Sequence, residues 1–295
     1  MALPLNCLLL CASGAAYDIA LDTGVYTPDP IFSPAVAYTS APTAISLNQI
    51  NACLVGQTAI GIIVAFRGTV PTSWVDWLND VIAEPGSFAG LPGLVHTGFA
   101  LAVQSVLAQV AAAVNGLKPG VGNPVYVTGH SKGGAMAPLA AYLLQQQNKI
   151  PIQQVVTFAA PRVGNGVFAA GYQAVFNNHV RYENYGDLAP LVPPTQAASG
   201  VLANAVSWIP EVGAELAKLF RDAGQWNYTS VGSEEYIDYD YSVIPNPPTV
   251  EQVGDLIWYL ARNILDWETA LGNAHSHYCG GGYMNGTCAG SGVCT

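Results

Sequence analysis

Charge is scarce in this 295-residue chain: Lys, Arg, Asp and Glu together make up 9% of it. Only 9 of the charged residues are basic against 19 acidic, which leaves a net charge of -10 at pH 7. A chain this poor in cations cannot neutralise a run of phosphates, so nucleic acid and a polybasic hold on an anionic membrane are both excluded as expectations. Nor does any uninterrupted apolar run reach the 18 residues that a spanning helix needs, so no transmembrane anchor is expected. What is abundant is apolar surface. At 51% hydrophobic, the chain can fill the core of one large α/β domain, and a single domain over 1–295 is the expectation.

Six cysteines gather towards the two ends, Cys7, Cys11 and Cys53 at one and Cys279, Cys288 and Cys294 at the other. Two sequons, Asn227-Tyr-Thr229 and Asn285-Gly-Thr287, accompany them. Together they point to a secreted, extracellular glycoprotein with up to three disulfides of open connectivity. A zinc site is not expected, because the cysteine spacings of the tail (279–295) are long and glycine-filled and no histidine pair faces them. The segment from Met1 to Ala16 has a Leu-rich centre but no basic start, so it reads as a first helix rather than a leader, with Cys7 and Cys11 one turn apart and both aimed at the tail.

The most informative stretch is Pro124-Val-Tyr-Val-Thr-Gly-His-Ser-Lys-Gly-Gly-Ala-Met-Ala-Pro138. It reads as a buried strand, a sharp turn and a helix, and the turn carries Gly129-His-Ser-Lys-Gly133, a Gly-x-Ser-x-Gly nucleophile elbow. A serine on so tight a turn projects its hydroxyl clear of the sheet, and glycine two residues to either side removes the clash that side chains would cause. Chance alone gives roughly 0.1 such patterns in a chain of this length. The strand before and the helix after are therefore what give the motif its weight.

The rest of the chain supplies context. A proline-rich connection runs from Thr27 to Pro42. Strands are expected near Ala44 to Leu54 and Ala59 to Phe66, the second apolar throughout and ending in Arg67-Gly-Thr69, where a backbone N–H and a hydroxyl can be aimed at one point. Pro71 to Asp80 suggests a short helix capped by Thr72 or Ser73, with Trp74, Trp77 and Leu78 on one face: either a core stripe or a mobile amphipathic lid over about 70–82. His96 reads as a structural histidine before a helix over about Ala100 to Val114. Gln153 to Ala159 and His179 to Asn184 continue the strand series, which implies right-handed parallel crossovers and an α/β fold. Asp187 follows the later strand. Helical spacing marks about 195–222, tyrosine-rich alternation before Tyr241 suggests an edge hairpin, and Val250 to Leu271 reads as one long helix ending near His275 and His277.

Serine, aspartate and histidine in that chain order match the α/β-hydrolase type. Arg67-Gly-Thr69, Val95-His-Thr-Gly-Phe99, the elbow, Thr157-Phe-Ala-Ala-Pro-Arg-Val-Gly-Asn165, Arg181 through Asp187 to Pro194, and Ala274-His-Ser-His-Tyr278 together resemble the fungal-type class 3 lipases, over about 210 residues and in that family's order. The resemblance implies a mostly parallel mixed central sheet flanked by helices. It implies Ser131 as nucleophile, Asp187 as orienting acid and His275, three residues before Tyr278, as base. The oxyanion hole falls on Thr69 and the backbone N–H of Lys132, and the lid on Trp74, Trp77 and Leu78. It implies a monomeric triacylglycerol lipase acting on lipid or ester substrate at an oil–water interface, without metal or organic cofactor. The alternatives are an esterase on small soluble or phenolic, feruloyl-type esters, or a phospholipase A1, with the same triad. Lys132 departs from the family, which places an apolar residue there. The segment over about 195–222 looks like added material, expected to border the acyl pocket as a second cover.

Overall fold

The computed structural model describes residues 3–70 and 73–294. In chain order the elements are α1 (Leu5–Ala15), α2 (Phe32–Val36), β1 (Thr43–Leu47), β2 (Asn51–Thr58), β3 (Gly61–Phe66), α3 (Trp74–Val81), β4 (Pro85–Ser87), β5 (Leu94–His96), α4 (Thr97–Gly116), β6 (Val125–His130) and α5 (Lys132–Gln146). They continue with β7 (Ile152–Phe158), β8 (Gly164–Asn165), α6 (Gly166–Gln173), β9 (His179–Asn184), α7 (Ser199–Val206), α8 (Gly213–Ala223), β10 (Tyr228–Thr229), β11 (Ser233–Ile237), β12 (Val243–Pro245), α9 (Thr249–Arg262), α10 (Trp267–His275) and α11 (Gly282–Thr287).

Among the described residues, eight strands form one sheet in the order β1-β2-β3-β6-β7-β9-β11-β12. Strands β3, β6, β7, β9 and β11 run parallel, and antiparallel partners close both edges. This is the α/β-hydrolase arrangement. Strand β3 is buried at every position, because helices cover both faces of the sheet and an unbroken apolar run is what such a strand requires. One face packs against α4 and α5, the other against α1 and α11. Helix α1 is buried from Cys7 to Ala15, and its one hydroxyl, Ser13, is satisfied by the Leu9 carbonyl and by Thr128 of β6.

Helix α4 qualifies the expectation about membrane anchors. Its 20 residues are long and apolar enough to cross a bilayer by composition. In the fold, however, Phe99, Val103, Val106, Val110 and Val114 form its buried stripe, while Gln104, Gln109 and Asn115 face outwards. That periodicity is the signature of a core helix on a sheet.

Several boundaries differ from the sequence reading, each for a local reason. The strand expected over 44–54 is a hairpin, because Asn48 and Gln49 take left-handed backbone angles (φ 56° and 58°) and turn β1 into β2. The proline-rich connection contains α2, whose first N–H groups are capped by the Asp29 carboxylate. The single long helix over 250–271 is broken into α9 and α10 at Asn263, where φ is -120°. Of the up to three disulfides expected, two form among the described residues, Cys7–Cys288 and Cys279–Cys294. Cys11 and Cys53 are buried free thiols on different elements, and burial pushes the Cys11 thiol up to about 12. The sulfurs of Cys7, Cys11 and Cys288 lie within 4.8 Å of one another, but two of the three are spent in a disulfide and cannot ligate a metal as thiolates.

Candidate active site

Strand β6 stops at His130 and α5 starts at Lys132, so Ser131 alone makes the turn, at φ 59° and ψ -131°. That is strained backbone for a residue with a side chain. The turn is held by the Ser131 N–H donating to the Phe158 carbonyl at 2.9 Å and by its own carbonyl accepting from Ala135 N–H at 3.1 Å. A Cβ at Gly129 would overlap the carbonyl of Gly133, and one at Gly133 would overlap the carbonyl of Phe66. The elbow can therefore close against its own helix and against the end of β3 only with glycine at both places. The Ser131 hydroxyl is buried and has no hydrogen-bond partner among the described residues.

Asp187 lies three residues past the end of β9, and its side chain is wholly buried. Its Oδ1 accepts from the Ala189 N–H at 2.9 Å, and both oxygens face His275 Nδ1, at 3.1 and 3.0 Å. A third donor is the Tyr283 hydroxyl, 2.6 Å from Oδ2. An ionised carboxylate is acceptor-only, so His275 must carry its proton on Nδ1 and present a bare Nε2. That Nε2 is buried and, like the Ser131 hydroxyl, has no partner among the described residues.

The backbone of His275 is fixed by a second chain of bonds. His130 Nε2 reaches the His275 carbonyl at 2.7 Å, and His130 Nδ1 lies 2.9 Å from the Tyr17 hydroxyl. A carbonyl can only accept, so Nε2 donates and Nδ1 accepts from Tyr17. Burial, reinforced by the nearby His277 and His275 rings, keeps His130 neutral, as this pattern requires. The neighbour of the serine thus grips the backbone of His275, with the two imidazoles 4.7 Å apart.

His277 takes no part in the Asp187 contact. It stacks on Tyr17 at 4.5 Å, and burial, with His275 beside it, pushes its pKa down to about 3. His96 accepts the Phe99 N–H at 3.2 Å and stacks on that ring, which caps α4. Tyr278, the tyrosine of the histidine motif, is 54% exposed, and it is Tyr283 that reaches the carboxylate.

Helix α3 closes over this group. Ser73 caps it by accepting from Asp76 N–H, while Thr72, the other expected cap, lies outside the described residues. Trp74, Trp77 and Leu78 are all buried. The indoles pack edge to face at 5.1 Å and sit 5.4 and 5.9 Å from the His275 ring. The backbone N–H of Trp74 donates to the Glu268 carboxylate of α10. Thr69 is exposed, three residues beyond the end of β3. Lys132 is half-buried, and its ammonium donates to Asn51 Oδ1 at 2.8 Å. Helices α7 and α8 occupy the region about 195–222. The cavity of about 230 Å³ that α7 shares with α9 is lined by Thr195, Ala198, Val201, Val250 and Val253 among others, and not by Ser131, Asp187 or His275.

Tyr17, His130 and Tyr283 are not singled out by sequence reasoning. His130 occupies a free position of the elbow motif, and Tyr17 and Tyr283 lie 113 and 153 residues from it, in chain segments without a motif of their own. The Tyr283 hydroxyl is expected to hold the Asp187 carboxylate in the plane of the imidazole. Tyr283→Phe keeps the ring and removes one charge-assisted bond, so kcat on a soluble ester should fall about five- to tenfold, with little change in KM. An unchanged kcat in a variant of normal melting temperature would remove the hydroxyl from that role.

Comparison with known proteins finds likenesses in family and fold. The profile of the family "Lipase (class 3)" matches residues 63–197. A lipase of Caenorhabditis elegans is 33% identical over 202 residues, covering 63% of this chain and 54% of that protein. The secreted mono- and diacylglycerol lipase 1 of Fusarium solani is 34% identical over 143 residues, covering 45% of this chain and 39% of that protein. The chain thus spans about half the length, or less, of these relatives. Among solved structures, a deletion mutant of the Rhizomucor miehei lipase propeptide complex superposes with a TM-score of 0.62 at 22% identity, covering 98% of this chain and 80% of that one. At that identity the likeness speaks for the fold.

Proposed function

We propose that this chain, which belongs to the class 3 lipase family by its match over residues 63–197, is a secreted triacylglycerol lipase with Ser131, His275 and Asp187 as its triad. The observation that carries the reading is the pair of buried, unpartnered atoms, Ser131 Oγ and His275 Nε2, on residues joined through His130, with Nδ1 of the same imidazole on Asp187. Serine is a weak nucleophile until a base takes its proton. Oγ and Nε2 are expected to meet in a hydrogen bond when substrate binds, as happens in many sites that tighten only then.

In the reaction, Oγ attacks the ester carbonyl as Nε2 takes its proton, and Asp187 stabilises the imidazolium. The tetrahedral oxyanion accepts from the backbone N–H groups of Thr69 and Lys132 and from the Thr69 hydroxyl. His275 then protonates the departing alcohol, and water repeats the sequence to release the acid. Helix α3 acts as the lid. Closed, its tryptophans lie over His275; open, they offer apolar surface to an oil phase. The two disulfides and the secreted Fusarium relative support an extracellular setting.

The test is a rate comparison on short- and long-chain esters below and above their solubility limits. The wild type should show a jump in rate at the interface. Trp74→Ala/Trp77→Ala should lose most of that jump, about tenfold, while retaining hydrolysis of dissolved short-chain ester. Saturation on dissolved ester with no interfacial jump would replace the lipase reading with that of an esterase. Preference for phospholipid over triacylglycerol would replace it with that of a phospholipase.

A further inference from the structure

We propose that the side-chain ammonium of Lys132 is a fixed positive charge near neutral pH, placed beside the oxyanion position and stabilising the negative charge that develops there during turnover. The inference rests on the serine-hydrolase reading above and adds to it a residue that acts through its charge rather than through the backbone.

Lys132 opens α5 directly after β6, yet its Nζ bonds to Asn51 Oδ1 at 2.8 Å and approaches the Ile50 carbonyl at 3.5 Å, at the start of β2. In the sheet β3 lies between β2 and β6. The lysine side chain must therefore cross the C-terminal end of β3, from which Arg67, Gly68 and Thr69 continue. That end is fixed beside Asn51 by the Arg67 N–H bonding to the Ala52 carbonyl, and it abuts the elbow at Gly133. The ammonium thus flanks the segment carrying Thr69, one of the two oxyanion donors, while the backbone N–H of the same Lys132 is the other.

Among the described residues Lys132 makes no ion pair; its partners are a neutral amide and a carbonyl. It sits in the first turn of a helix, where the dipole already disfavours a cation. Two charged groups act on it from the elements around it: Arg67 at the end of β3, which opposes its charge, and Asp80 on α3, which favours it. Burial opposes it most, and the ammonium is pushed down to about 8. A half-buried cation kept unpaired against burial, dipole and a neighbouring guanidinium is poorly placed for stability alone. It is well placed for an anion that exists only in the transition state, where a fixed charge needs no reorganisation.

The experiment uses the full chain and a dissolved short-chain ester, measuring kcat and KM from pH 6 to 10. Lys132→Met should lower kcat at pH 7 roughly tenfold with KM within about twofold, since the charge acts on the transition state and not on the neutral ester. Lys132→Arg should keep most of the rate. The wild-type kcat should fall as pH rises through about 8, where the ammonium loses its proton, and Lys132→Met should lack that alkaline limb. Asn51→Ala leaves the lysine in place but removes its amide partner, so the limb should move to lower pH; this variant decides the matter if Lys132→Met folds poorly. A wild-type kcat and pH profile in Lys132→Met, or an unmoved limb in Asn51→Ala, would overturn the inference while leaving the lipase reading intact. Failure of the reading itself looks different: the wild type would not hydrolyse the ester, or Ser131→Ala would hydrolyse it equally well.

Discussion

His275→Ala is expected to lower kcat/KM on a soluble ester by about 10⁶-fold, and Asp187→Asn by about 10⁴-fold. The two losses differ because the residues do different things. Without the imidazole no group takes the Ser131 proton. Without the charge of Asp187 the imidazole remains, but nothing fixes its proton on Nδ1 or stabilises its cation. Because the three residues work as one unit, the losses should not add: His275→Ala/Asp187→Asn should be no slower than His275→Ala alone. His277 is the internal control. It is about as deeply buried as His275 and stacks on Tyr17 rather than facing Asp187. His277→Ala should therefore cost far less than His275→Ala at equal thermal stability. A ranking in the other direction would move the base to residue 277 and dismantle the proposed triad. Initial rates of the three variants, with melting temperatures as a check on folding, decide the matter.

Removing the Cys7–Cys288 bridge, as Cys7→Ala/Cys288→Ala, is expected to lower stability by about 2–5 kcal/mol. The bridge joins residues 281 apart, so in the unfolded chain it restrains nearly the whole length, and the loop-closure argument gives large values for such loops. It also ties α1 to α11, and α11 carries Tyr283 onto Asp187. Loss of the bridge should therefore reduce activity along with stability, whereas removing Cys279–Cys294, which closes 15 residues, should do less of both. Denaturant titration of the two double variants, with kcat measured well below each midpoint, checks the order. Equal stability of the two would show that the native contacts of α1 and α11 hold the termini together without the covalent link.

The parts of the fold legible from sequence are those in which a local pattern has one physical solution. An apolar run such as Gly61–Phe66 must be a strand covered on both faces. Glycine at 129 and 133 admits a turn that any side chain would block. The misread boundaries lie where a single residue decides a backbone angle, as at Asn48 and Asn263, and apolar spacing carries no information about that. The stripe of Trp74, Trp77 and Leu78 reads equally well as core or cover, because the closed conformation buries it in either case.

On its own, the order of residues determined the elbow, the strands around it, an acidic residue after β9 and a short list of two histidines near the end. The tertiary structure alone set His275 rather than His277 against Asp187, brought Tyr283 to the same carboxylate, linked Tyr17 through His130 to the His275 carbonyl, paired Cys7 with Cys288 while leaving Cys11 free, and laid Lys132 across β3 to Asn51. The reason is one of range. A turn or a strand is set by sterics and solvation within a few residues, whereas a hydrogen bond or disulfide between distant segments depends on where the packed sheet and helices bring chain ends together, and identical residue types stand ready at several places until that packing is complete.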